Sequence, residues 1–140
     1  MRRFVLMLCC LTLPLTAPAP AMAQFYQAVN RLQVVPLNAN DFEVIEARGE
    51  GARGIWCAAA DYVTQVRGIT SGRLYVKTPR GRSVSGMGRI GVVFTTNAAS
   101  LSTPPTTSFS VSVRDAGSGL SVVHALQFCK DYLLELRERF

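Results

Sequence analysis

The sequence predicts an α+β domain, an antiparallel sheet of about five strands with two helices packed on one face, in the order ββαβββα. Three observations predict it. Short segments alternate apolar and polar residues with a period of two, most clearly residues 108–114, and a sheet with one wet face is antiparallel rather than parallel. Two other segments, 55–66 and 121–137, carry apolar residues at spacings of three and four. Cys57 and Cys129 fall one in each of these helical segments, so a disulfide between them would link helix to helix.

The first 23 residues stand apart from this pattern. Arg2 and Arg3 precede an apolar run from Phe4 to Leu13, broken only by Thr12, and the small residues Ala21-Met22-Ala23 close the segment. This is the three-zone pattern of a secretory signal peptide cleaved after Ala23. The apolar run is about half of the roughly 20 residues a transmembrane helix needs. Cys9 and Cys10 lack the small preceding residue of a lipoprotein site, and Arg2-Arg3 lacks the polar residue expected before a twin-arginine pair. The expected organisation is therefore a signal peptide over 1–23 and one exported domain over 24–140, with no later apolar stretch long enough to span a bilayer.

Within that domain, residues 24–31 form a short frayed or helical lead-in. Residues 32–37 make a strand, ended by Pro36 and the turn-forming Asn38-Ala39-Asn40-Asp41. Residues 42–47 make a second, with Phe42 and Val44 on one face and Glu43 and Ile45 on the other. Gly49, Gly51 and Gly54 then interrupt the chain. In the first helix, 55–66, Ile55, Ala59, Tyr62 and Val66 form a stripe, the alanines at 58–60 admit a close neighbour, and Gly68 is the stop. Residues 73–77 form a strand with Leu74 and Val76 inward. The glycine-rich, basic run 78–88 predicts a mobile loop, followed by a strand over 90–95 and a second, polar loop over 98–107. In the strand 108–114, Phe109, Val111 and Val113 face one way and Ser108, Ser110, Ser112 and Arg114 the other. Ser121 caps the last helix, whose stripe is Val122, Leu126, Cys129, Leu133, Leu136 and Phe140.

Of four cysteines, Cys9 and Cys10 leave with the leader, and Cys57 and Cys129 have one intramolecular pairing open to them in an oxidising compartment. Two cysteines and one histidine, His124, make a poor metal set, and no Cys-x-x-Cys redox pair occurs. The formal charge of +6 falls to +4 without Arg2 and Arg3. No acidic residue lies between Asp61 and Asp115, an interval holding Arg67, Arg73, Lys77, Arg80, Arg82, Arg89 and Arg114. Arg73, Lys77, Arg80, Arg82 and Arg89 form the candidate anion-binding set, because a guanidinium can bind phosphate or carboxylate with two parallel hydrogen bonds.

Signals for catalysis are bland. His124 lies about 200° around its helix from Val122 and off the apolar stripe, which suits a boundary histidine. Asp61 or Asp115 could orient it, but no nucleophile-elbow motif is present. Glu43 and Glu46, three apart in a strand, face opposite sides; Asp131 and Glu135 share a helix face with cations close by. Both pairs suit solvated charge. Gly86-x-Gly88-x-x-Gly91 ends inside a strand and opens no helix, so it is no dinucleotide fingerprint. Trp56, beside Cys57, suits a core residue covering the disulfide. The expected catalytic set is empty, and no cofactor or metal is implied.

The residues Trp56-Cys57-Ala58-Ala59-Ala60-Asp61-Tyr62, Val92-Val93-Phe94-Thr95 and Phe128-Cys129 resemble the pattern of small exported alphaproteobacterial proteins of unknown function. The resemblance spans most of the domain and implies a periplasmic location without an activity. The functional expectation is a non-enzymatic accessory or binding protein, periplasmic or secreted. One alternative is binding to an anionic surface through the basic hairpin 73–89, and a second is a small hydrolase using His124. An envelope protein or an anionic surface is the expected partner class, with nucleic acid ranked last.

The exported protein should have an intact mass that starts at Gln24, with two thiols alkylated only after reduction under denaturing conditions. A full-length mass, or thiols free without reductant, would remove the basis for the compartment.

Overall fold

Six strand residues that alternate with outward-facing neighbours, Phe42, Val44, Leu74, Val76, Val92 and Phe94, are fully buried in a single core with both helices. In the computed structural model, which describes residues 24–106 and 109–140, the elements are β1 (Tyr26–Gln27), β2 (Gln33–Pro36), β3 (Asp41–Ile45), α1 (Gly51–Gln65), β4 (Arg73–Arg82), β5 (Ile90–Thr95), a 3-10 turn (Ala98–Ser100), β6 (Gly119–Ser121) and α2 (Val122–Glu138). Every strand pairing is antiparallel, and the sheet order is β1-β2-β3-β5-β4-β6. The α+β class and the two helices are as expected. The expected signal peptide lies outside the described residues.

The central helix α1 is buried from Gly54 to Val63 without a break. Its aromatic side packs on the sheet: the Trp56 and Phe94 ring centroids are 4.8 Å apart, as are those of Tyr62 and Phe42. Trp56 is a core residue whose Nε1–H donates to the Val111 carbonyl at 3.0 Å. On α1's other side, a disulfide joins Cys57 to Cys129 on α2 with the Cα atoms 5.0 Å apart. Arg53 pairs with Asp131 at 2.7 Å, so position rises along α1 as it falls along α2 and the helices are antiparallel.

Several boundaries differ from expectation. The lead-in 24–31 holds a strand, β1, and a turn in place of helix, because Asp61 on α1 accepts from Tyr26 Oη and from the Val29 amide, both at 2.9 Å. Gly54 lies inside α1 and breaks nothing. A Cβ there would sit 2.5 Å from Glu50 Cβ, and its carbonyl accepts from the buried Asn30 side chain. Residues 109–114 form no strand despite their alternation. Ser110 and Ser112 each accept a backbone N–H two residues on, from Ser112 and Arg114, and such local capture competes with a ladder. Of the three apolar residues there, Val113 is buried, Val111 is half-buried and Phe109 is exposed. The edge beside β4 is taken instead by β6, through Arg73↔Ser121, Leu74↔Leu120 and Tyr75↔Gly119.

Ser121 caps α2 as expected, its hydroxyl accepting from the His124 amide at 3.1 Å. The buried residues of α2 are Val122, Ala125, Phe128 and Cys129. The expected stripe is therefore covered only in its first half: Leu133 and Phe140 are exposed, because α2 runs past the end of the core.

Closing a loop with a sequence separation of 72 constrains the unfolded chain. Cys57→Ala with Cys129→Ala should lower unfolding free energy by about 4 kcal/mol. Denaturant titration of the oxidised protein and the double variant checks this; equal midpoints would mean that helix packing alone holds α2.

Candidate functional site at the hairpin tip

β4 continues through Pro79 to Arg82, so the expected loop 78–88 shrinks to a turn over 83–89. The register shifts between Val76 and Thr78 and between Thr78 and Gly81 accommodate the proline, which cannot donate to a ladder. Beyond it, Gly81↔Gly91 and Arg82↔Ile90 resume the pairing.

The turn is tied to the sheet by Glu43. This side chain points away from the helices and is fully buried, which corrects the expectation of solvated charge. Its carboxylate accepts from the Val84 amide at 2.8 Å, the Ser85 amide at 3.0 Å, the Ser83 hydroxyl at 3.1 Å and the Ser85 hydroxyl. Four donors replace the water a buried carboxylate loses, and a buried charge without such partners is strongly disfavoured. Gly91 leaves the space: a Cβ there would run into the Glu43 side chain. A Cβ at Gly88 would likewise meet Ile45, so the turn folds closely over the outer end of β3. Sequence reasoning missed this role of Glu43; the one signal for it was Gly91, a glycine inside an apolar strand, which marks close approach.

The five candidate cations fall into separate environments. Lys77 Nζ pairs with Asp41 at 2.6 Å. Burial works to raise the Asp41 carboxyl, but hydrogen bonds from Lys77 and Asn38 outweigh it and leave the group below its ordinary value. Arg80 binds Glu46 through both Nε and Nη2, and that hydrogen bonding holds the Glu46 carboxyl below its ordinary value too. Arg73 donates to the Gly119 carbonyl at 2.8 Å. These three are engaged within the fold. Arg82 and Arg89 are exposed, and among the described residues neither guanidinium has a hydrogen-bond or ion-pair partner. The two flank one hollow of about 440 Å³, with Ser83, Gly86, Gly88 and Ile90. The Ser83 amide donates to the Arg89 carbonyl at 3.1 Å and closes the base of the turn. The arrangement can hold a phosphate- or carboxylate-sized anion between two guanidinium groups carried on a fixed turn backbone.

The remaining candidates are not brought together. The His124 ring packs on Phe128 with centroids 5.5 Å apart. Asp61 is bonded to Tyr26 and Val29, and Asp115 accepts from Ser112, so neither orients the imidazole. Burial, with the hydrogen bond to Asp61, pushes the Tyr26 phenol up to about 12. Among the described residues no three His, Cys, Asp or Glu side chains are grouped to hold a metal ion, and no helix is long and apolar enough to cross a membrane. No family model, curated protein or solved structure matches the chain.

Glu43→Gln puts an amide donor against donors. The Val84 and Ser85 amides should then exchange with solvent about tenfold faster or more, while the pairing of β3 with β5 stays protected. Unfolding free energy should fall by about 1–3 kcal/mol. Unchanged exchange at both amides would mean that the turn holds its own shape.

Proposed function

We propose that this chain is a non-catalytic binding domain, acting in the periplasm or outside the cell, that holds an anionic group between Arg82 and Arg89 at the tip of the β4–β5 hairpin. The observation that carries the reading is the contrast between spent and free cations on one hairpin. Lys77 and Arg80 are matched by carboxylates from β3 and the residue after it. Arg82 and Arg89 are matched by nothing in the described chain, yet they border a turn whose backbone Glu43 fixes. Arginines whose backbone is held lose less freedom on binding than the same arginines on a mobile loop. The leader pattern and the Cys57–Cys129 bond support an oxidising compartment.

Polyphosphate, a probe with no apolar surface, tests the charge chemistry directly. The oxidised protein should bind it with an affinity that falls steeply as salt rises. Arg82→Ser with Arg89→Ser should weaken binding about tenfold or more, and Lys77→Ser much less. Affinity that ignores salt, or that survives the double substitution, rules the reading out.

A further inference from the structure

The free arginines are not the only unusual surface at their end of the molecule. Val84 and Met87, at the apex of the turn between them, are exposed, Val84 by 57%. At the end of α2, Leu133, Leu134 and Phe140 are exposed as well, Leu134 by 56%, and with Leu136 they line an open groove bordered by Lys130 and Arg137. At 100° per residue, Lys130, Leu133, Leu134 and Arg137 fall within an arc of about 100°, and Asp131, Glu135 and Glu138 lie outside it.

The topology brings these two patches to one pole. The turn 83–89 lies over the end of β3, where Ile45 meets Gly88 and the Glu46 amide donates to the Ile90 carbonyl. From there the chain enters α1 at Gly51, so the N-terminus of α1 shares that end. Because α2 is antiparallel to α1, its C-terminus arrives at the same place, and Arg48, Glu50, Tyr132, Glu135 and Arg139 line one hollow there.

We infer that this pole seats on an anionic lipid surface, with the hairpin apex and the last turns of α2 as two separate footholds. The inference rests on the anion-binding reading and names its partner. Apolar side chains bordered by long cations suit the boundary between headgroups and acyl chains, where the apolar part leaves water and the cation reaches phosphate. The complementarity of charge is local: Arg82, Arg89, Lys130 and Arg137 have no carboxylate partner among the described residues, Asp131 is occupied by Arg53, and Glu135 and Glu138 lie on another side of α2.

Co-sedimentation with vesicles of phosphatidylglycerol and phosphatidylcholine tests this, using oxidised protein whose N-terminus has been read by mass. Vesicles rich in phosphatidylglycerol should bind it, and pure phosphatidylcholine should not. Arg82→Ser with Arg89→Ser should lower partitioning about 30-fold, from the loss of two cations near the surface. Val84→Ser with Met87→Ser, and separately Leu134→Ser with Phe140→Ser, should each lower it about tenfold while leaving polyphosphate binding unchanged. All four positions are exposed, so the fold should survive, and thermal unfolding checks that it does. Polyphosphate binding without vesicle binding would overturn the lipid inference and leave the anion reading intact; loss of both would overturn both. Partitioning untouched by the serine substitutions, or a dimer by light scattering that those substitutions dissociate, would also overturn it.

Discussion

The fold turns on α1, a helix buried along ten consecutive residues. A helix apolar on all sides has to be covered on all sides, and this one is: the sheet takes Trp56 and Tyr62, α2 takes the face of Cys57, and the N-terminal segment closes over Asp61. The alanines at 58–60, all fully buried, keep the helix thin where neighbours approach. The disulfide adds a covalent tie to the helix-on-helix interface, which no ladder of backbone hydrogen bonds supports.

A second constraint works on the opposite face of the sheet. Antiparallel sheets often leave one face to water, but here β3 is buried at every position from Asp41 to Ile45 and β5 from Gly91 to Thr95. The hairpin turn covers that face by offering its amides and hydroxyls to Glu43. The same strand supplies Asp41 to Lys77, and the residue that follows it supplies Glu46 to Arg80. One short acidic strand and its neighbour thus neutralise half of a basic hairpin and shape the other half. The charge asymmetry along the chain, with acids toward the ends and cations in the middle, is resolved by placing the two side by side.

Arg82, Arg89, Leu133 and Leu134 all lie toward one pole, and topology is the reason. The turn after β4, the entry to α1 and the exit of α2 must share an end once the strands are antiparallel and the helices run in opposite directions. Neither the cations at 82 and 89 nor the leucines at 133 and 134 mark a surface by themselves, since scattered exposed side chains of both kinds are ordinary. Their convergence distinguishes them.

The class of fold, both helices, the Ser121 cap, the inward faces of β3 and the long strands and the pairing of the cysteines were legible in the sequence, because each follows from local periodicity, capping chemistry or counting. Periodicity misled at 109–114, where serines captured the backbone locally, and at the end of α2, where an apolar stripe continued past the core that would have covered it. Composition misled at 78–88: glycine and arginine read as mobility, whereas β5 on one side and Glu43 beneath imposed order. Which cations are free was decided only by tertiary structure. The separation from Asp41 to Lys77 and from Glu46 to Arg80 is more than thirty residues in each case, and no local pattern reports which charges a sheet will bring within reach.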